Sequence, residues 1–493
     1  MIPTTPPRRA LIAGAGAAGA MIARELRATP GIGLTAVAFI DDDIAKHGTV
    51  VEGVPVAGPI ADLAAIQRSH AADELIIAMP SAPGTVVRQL HRLAQEAGLA
   101  TFTVPTLFEI LSGRVKVSAI RPVQIDDLLR RAPVTPDQGR VGVLLWDKTV
   151  LVTGAGGSIG AELCRQAAMM GLRRLVAVDH GENAIFEIDA ELRARWPGLD
   201  VVSQIADIRD ASRITRILAE QRPEVVIHAA AHKHVPLMER NVAEAVENNV
   251  LGTRVVAEAA AASGVECFVL VSSDKAVRPT NVMGATKRVA ELVVQELAGR
   301  LNRRFISVRF GNVLASSGSV IPVFLKQIES GGPLKVTHPE MRRYFMTIAE
   351  SAQLVLQAAA LGAGGEVFVL DMGEPVRIVD LATDLIRLSG LEPGRDIEIE
   401  FTGVRPGEKL YEELFFGLEQ AEPTGHAKVL RARHADLPAD LRGVVDRLIA
   451  QAGREADEDN LRRALQELVP DYHPEQSAHN ISGLGRSVRS TKA

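Results

Sequence analysis

The chain has 493 residues, 47% hydrophobic and 23% charged, with a net charge of −5. This is the make-up of an ordinary globular protein with room for about three average domains or two large ones, and it gives no reason to expect nucleic acid as a partner. No apolar run approaches the roughly 18 to 20 residues that cross a bilayer, and the opening MIPTTPPRRALIAG is not laid out as a secretory signal.

The first element is the apolar strand that opens 10-ALIAGAGAAGAMIAREL-26, followed by Gly14, Gly16 and Gly19 and a helical pattern. A second apolar strand, 34-LTAVAFIDDD-43, ends in acids about 20 residues later. This is the GxGxxG fingerprint, in which glycines allow a tight turn and a close approach to phosphate at a helix N-terminus. The match is weak taken alone. No catalytic cluster precedes residue 115, so a Rossmann-shaped domain without a redox cofactor is an equal reading of residues 1–115. Residues 116–147 read as a connector, broken by Pro122, Pro133 and Pro136, with one short helix around 126-DDLLRR-131.

The second opening, 148-KTVLVTGAGGSIGAELCRQAAMMG-171, carries Gly154, Gly157 and Gly160 in the TGxxGxxG spacing that resembles the short-chain dehydrogenase superfamily. Asp179 ends the next strand, where a carboxylate accepts both hydroxyls of an adenosine ribose and repels a 2′-phosphate, so NAD is favoured over NADP. His180 and Arg193 weaken that preference without reversing it. Strands continue at 224-EVVIHAAAHKHVPLME-239 and 267-CFVLVSSDKA-276. Alternating strands and helices imply α/β architecture with two Rossmann-type doubly wound parallel sheets, and ligands beyond the carboxyl ends of the strands. Cys164 and Cys267 lie far apart in apolar surroundings, which argues against disulfides and fits a reducing compartment.

The motifs TGAGGSIG, HAAAHKHVPLME, 272-SSDKAVRPTNVMGATKR-288, 309-RFGNVLASSGSVIPVF-324, 338-HPEMRRYFMT-347 and 403-GVRPGEKLYEEL-414 together resemble the bacterial polysaccharide-biosynthesis UDP-N-acetylglucosamine 4,6-dehydratases, extended short-chain dehydrogenases. Residues 148–435 are then the expected catalytic domain. The N-terminal domain is similar to that of the large membrane-bound members, which carry transmembrane helices ahead of it; this sequence begins just after that point. The resemblance implies a cytoplasmic route, peripheral association with the inner face of the membrane being left open, and a homo-oligomer. It also implies NAD contacts at Thr153, Gly154, Gly157, Ser158, Ile159, Gly160, Asp179, Asp207, Ile208, Ala229, Ala230 and Lys287, with Asp207 facing the adenine amine.

Such an enzyme needs a base at sugar C4, a second base at C5 and an acid at C6. Most members of the superfamily place a Tyr four residues before the Lys; here Met283 stands there, one turn before Lys287 on the same helix face. The resemblance gives Lys287 the nicotinamide ribose and passes the tyrosine's task to a water or another side chain; Tyr344, Tyr411 and Tyr472 are remote in sequence. Asp274 and Lys275 are the pair that ketone reduction would not require. Lys275 is expected as the C5 base, pushed down from its ordinary pKa by a cationic nicotinamide and Lys287, Asp274 as the C6 acid, pushed up, and Ser273 as the residue that positions the C4 oxygen.

The remaining expectations concern the substrate and the C-terminus. Asn312 and the loop after it resemble the segment that meets the sugar diphosphate; Arg343 and Arg405 are candidate forks for it, and Glu408 touches a ribose or orders Arg405. His232, Lys233 and His234 line the crevice, Lys233 toward substrate, and no metal is expected from this spacing. Residues 437–470 read as two amphipathic helices within a C-terminal segment 436–475, and 476–493 as a disordered polar tail. The rival readings are a nucleotide-sugar 4-epimerase of the same fold and a non-catalytic NAD-binding regulator.

Overall fold

The computed structural model describes residues 7–29, 31, 33–104, 120–129, 138–414, 421–432, 437–453 and 457–474. The expected tail lies outside the described residues, as do Arg130, Arg131, Pro133 and Pro136 of the expected connector. The chain forms two compact units, 1–135 and 136–493.

The first unit is built on a seven-stranded sheet of order β3-β4-β2-β1-β5-β6-β7. Its strands are β1 (Arg8–Ala13), β2 (Leu34–Ile40), β3 (Val50–Val51), β4 (Val54–Gly58), β5 (Glu74–Ile77), β6 (Ala100–Thr103) and β7 (Arg121–Pro122). The centre is parallel, whereas the edges β3 and β7 pair antiparallel with β4 and β6. The connector segment is therefore divided: β7 and the helix Ile125–Leu129 belong to this unit, and the helix Gln138–Leu145 belongs to the other. Gly14 turns the chain into α1 (Ala17–Ala28) at φ +98°, and a Cβ on Gly19 would lie 2.0 Å from the Gly14 carbonyl oxygen, so only glycine lets helix and turn touch.

The second unit carries a nine-stranded sheet of order β10-β9-β8-β11-β12-β13-β14-β16-β15. Its strands are β8 (Thr149–Thr153), β9 (Arg174–Asp179), β10 (Asp200–Ile205), β11 (Val225–His228), β12 (Cys267–Val271), β13 (Arg304–Arg309), β14 (Val367–Leu370), β15 (Glu422–Pro423) and β16 (Val429–Ala432). From β10 to β14 the pairing is parallel, and β16 and β15 close one edge antiparallel. TVLVT, VVIH and CFVLV are near-continuous apolar runs because helices cover both sheet faces. The strand order reverses between β8 and β11, which opens a crevice at their carboxyl ends.

Three helices close the body. The long helix after the SSDK turn, α2 (Val282–Leu301), is buried along most of its length. The C-terminal helices α3 (Leu441–Ala452) and α4 (Glu458–Leu468) join its core through Leu441, Val445, Leu448, Leu461, Leu465 and Leu468. Glu239 links them to the start of α2: it accepts from the Val282 amide at 2.6 Å and pairs with Arg462 at 2.8 Å. Among the described residues no helix is long and apolar enough to cross a membrane.

Replacing Glu239 with alanine orphans a helix N-terminal amide and a half-buried guanidinium together, and should cost about 2 kcal/mol of stability. Urea denaturation measures this; a change below about 0.5 kcal/mol, the range of neutral surface substitutions, contradicts the role given to Glu239.

Candidate functional site

The glycine turn after β8 forms one wall of the crevice. Gly154 adopts φ +68°, and a Cβ there would lie 2.7 Å from the Ala230 amide nitrogen, while one on Gly160 would lie 2.0 Å from the Gly154 carbonyl oxygen. These contacts bring the turn, the β11 end and the helix Ser158–Ala168 together, leaving the helix N-terminus open to an anion. Asp179 is fixed across the turn, one carboxylate oxygen accepting from the Gly156 amide and the other from the Gly181 amide, both at 3.0 Å. The first unit repeats the device: Asp41, after β2, accepts from the Ala15 amide at 2.7 Å. There, however, Lys46 pairs with Asp41 at 3.0 Å, and the Met79 side chain lies over Gly14.

The opposite wall is the turn after β12. Ser272 and Asp274 extend the parallel ladder, their amides donating to the carbonyls of Val308 and Phe310. The Ser273 hydroxyl accepts from the Lys275 amide and so caps the short turn Asp274–Ala276. Helix α2 runs directly beneath, and its Gly284 is required: a Cβ would lie 2.1 Å from the Lys275 carbonyl oxygen. The Asn281 side chain caps α2 by accepting from the Gly284 amide.

A buried ionic knot fixes turn and helix together. Glu291, one turn beyond Lys287, receives two bonds from Arg309, at 2.8 and 2.7 Å, one from Arg288 at 2.9 Å and one from the Ser272 hydroxyl at 2.6 Å. Burial pushes its carboxyl up, but Arg309, Arg288 and Ser272 win and hold it at about 2. Lys287 donates to the Val271 carbonyl at 2.7 Å, and burial, only partly offset by Glu291, holds its pKa at about 8.

Lys275 points its amine at three oxygens: Asp274 Oδ1 at 3.0 Å, Asn312 Oδ1 at 3.2 Å and Glu412 Oε1 at 3.7 Å. Burial lowers its pKa, yet Asp274 and Glu412 outweigh burial and the neighbouring Arg343, so it stands above the ordinary value. The downward push expected from Lys287 is not found, because Lys287 is not among the groups that move it and two buried carboxylates are. Asp274 is buried, and its Oδ2 accepts no hydrogen bond among the described residues; it lies beside Gly311, whose missing Cβ would stand 3.1 Å away.

Between these walls lies a cavity of about 640 Å³. It brings together Ser273, Lys275, Met283 and Lys287 from the segment 272–288, and Gly154, Gly157, Ser158, Ile159, Gly160 and Ala229 from the glycine turn side. Lys233 and Asn312 line it as well, Lys233 reaching the Ser316 hydroxyl at 3.4 Å. Three lysines and no carboxylate face this space, so it attracts anions.

Other expected site residues stand elsewhere. Thr153 is buried at the β8 end, bonded to His228, which burial and Lys287 hold neutral with a pKa of about 3. Ile208 packs against Gly252, and Asp207 is clasped by Arg209 at 2.6 Å, leaving neither in the lining. Asp179 and Ala230 sit outside the lining, at the strand ends beside it. Arg193 is committed to Asp189 and the Val201 carbonyl, away from Asp179. Arg343 is buried, donating to the Arg342 and Leu410 carbonyls and facing Glu412 at 3.8 Å, rather than offering a free fork to the cavity. Arg405 is exposed and Glu408 half-buried, both outside the lining, the Glu408 amide donating to the Arg405 carbonyl. Sequence reasoning missed Glu412 and Glu291, although GVRPGEKLYEEL contains the first and helical spacing from Lys287 reaches the second.

Residues 150–434 match the family model described as polysaccharide biosynthesis protein, and residues 7–105 one described as CoA-binding domain. The capsular polysaccharide biosynthesis protein CapD of Staphylococcus aureus is 47% identical over 426 residues, 86% of this chain and 71% of that protein. The probable polysaccharide biosynthesis protein EpsC of Bacillus subtilis (strain 168) is 48% identical over 444 residues, 89% of this chain and 74% of its own. Among solved structures, Pen from Bacillus thuringiensis superposes with a TM-score of 0.53 at 33% identity, over 62% of this chain and 98% of that one.

Lys287 gives a test that needs no ligand. Its folded pKa of about 8 lies below the ordinary 10.5, so between these values the unfolded chain binds a proton that the folded one does not. Stability therefore rises with pH across that window, by about 3 kcal/mol from this group, and Lys287→Met removes the rise. Denaturant titrations should show the variant's stability relative to the parent falling from pH 7 to pH 10; a constant difference contradicts the buried, depressed amine.

Proposed function

The chain belongs to the polysaccharide biosynthesis protein family, and we propose that it is a UDP-N-acetylglucosamine 4,6-dehydratase working with NAD. The observation that carries this reading is the Asp274–Lys275 pair, in contact at 3.0 Å beside a cavity lined by lysines alone among charged residues other than histidine. A single carboxylate–amine pair holding one proton supplies both an acid and a base.

The glycine turn, the helix N-terminus at Ser158 and the ribose-accepting position of Asp179 fit a dinucleotide. When bound, NAD would take a hydride from sugar C4 and return it to C6. Lys287 steers the ribose and favours the alkoxide at C4, and Ser273 positions the C4 oxygen. Met283 fills the place of the usual tyrosine with a thioether that cannot move a proton, so the C4 proton leaves by another route, with water as the candidate. Lys275 takes the proton from C5; the freed pair forms the C5–C6 double bond as the C6–O bond breaks, and Asp274 gives its proton to the departing hydroxyl. The pair then stands as carboxylate and ammonium, and the Lys275 ammonium gives a proton back to C5 as C6 is reduced. Lys233, in the cavity lining, supplies positive charge for the sugar diphosphate.

Incubation with UDP-N-acetylglucosamine, followed by mass spectrometry, should show loss of one water. Lys275→Ala should abolish that loss, by at least about a hundredfold for a general base, while NAD binding persists because the glycine turn is untouched. A product of unchanged mass with inverted C4 makes the enzyme an epimerase instead, and normal dehydration by the variant removes Lys275 from the mechanism.

A further inference from the structure

The proton inventory of the Asp274–Lys275 pair leaves one charged group unexplained. The side chain of Glu412 is only 4% exposed, and its Oε1 lies 3.7 Å from Lys275 Nζ and 3.8 Å from Arg343 Nη2. At those separations it acts on both by charge rather than through a hydrogen bond. Arg343 is held in place by the carbonyls of Arg342 and Leu410, the latter two residues before Glu412. Two cations and two anions thus share one buried cluster: Asp274, Lys275, Glu412 and Arg343.

We propose that Glu412 is a positioning residue that keeps the proton on Lys275 in the resting enzyme, and that Arg343 is its counterweight, limiting how strongly it does so. The proposal deepens the dehydratase reading and rests on it for its consequence, though its electrostatic core stands on the cluster alone. The elimination needs the pair as neutral amine and protonated carboxyl. The chain's own route to that form moves the proton from Lys275 Nζ to Asp274 Oδ1 along their 3.0 Å contact, leaving the number of protons unchanged. Glu412 opposes the transfer by favouring the ammonium, the nearer of the two partners, and Arg343 relieves that opposition. Asn312, the third group facing the amine, is neutral and orients it without shifting its charge.

The cluster explains why a family-like arginine fork is turned inward. Arg343 is spent on Glu412 and two carbonyls, so its effect reaches the cavity through Lys275, whose side chain is 16% exposed and lines it. Glu412→Gln preserves shape and removes one charge. It should lower the Lys275 pKa, because the charge that favours the ammonium from 3.7 Å is gone while Arg343 stays. Arg343→Gln should move it the other way.

The test is the pH dependence of Lys275 acylation by an amine-reactive reagent, read by peptide mass spectrometry on the full chain, which reports the neutral amine without requiring turnover. At pH 8 the Lys275 labelling rate in Glu412→Gln should exceed that of the parent by about tenfold or more, and in Arg343→Gln it should fall, with other lysines unchanged as the internal control. Unchanged rates in both folded variants, or shifts in the same direction, overturn the proposal. Glu412→Asp, which keeps the charge, should restore parental labelling if Glu412→Gln is too unstable to handle, and parental labelling in Arg343→Gln alone then overturns the counterweight. Dehydration of UDP-N-acetylglucosamine is followed in parallel. Opposite labelling shifts in a protein that dehydrates nothing leave the cluster standing and remove the dehydratase reading; dehydration without such shifts does the reverse.

Discussion

The buried carboxylate of Glu291 is the constraint on which the site depends. It ties the end of β12, the helix α2 and strand β13 into one body through Ser272, Arg288 and Arg309. An unpaired charge in that position would be strongly destabilising, but every bond it receives comes from a donor whose own place is set by the sheet or the helix. Glycine at position 284 completes the constraint, since a methyl group there would collide with the Lys275 carbonyl. Lys275 and Lys287 consequently reach the same cavity from two different elements, at a spacing that neither element could hold alone.

A second principle concerns the segregation of charge. Amines line the cavity, whereas Glu291 and Glu412, the carboxylates that act on them without a catalytic part of their own, are buried behind the surface that substrate would touch. An anionic ligand then meets attraction without repulsion, and the proton affinity of each amine is set from the rear. The two lysines are tuned in opposite directions by the same means. Lys287 has one carboxylate, already neutralised by arginines, and burial wins; Lys275 has two, and they win over burial.

The parts legible in the sequence were those encoded locally. Glycine spacing after an apolar strand marked both turns, because φ above zero and contacts near 2 Å admit no other residue. Near-continuous apolar runs of four or five residues marked the central parallel strands, and the step from Met283 to Lys287 marked one helix face. What could not be read was pairing at a distance. Arg343 looks like a fork for phosphate until Leu410 and Glu412 are seen to occupy it, and Thr153 looks like a cofactor contact until His228 is found bonded to it. The upward shift of Lys275 draws on Asp274 and on Glu412, the latter 137 residues further along the chain. Strand β7, only two residues long, carries no periodicity at all, so its pairing with β6 leaves no mark in a sequence that reads as connector.

The central claim is that Lys275 exchanges the C5 proton of a UDP-sugar with the pair it forms with Asp274. Proton NMR of UDP-N-acetylglucosamine incubated with the enzyme in deuterated water measures this directly. The account predicts a product with a new C6 methyl signal and solvent deuterium at C5, both absent in Lys275→Ala. A C6 methyl product that keeps its original proton at C5, or C5 deuteration that survives in the variant, would contradict it.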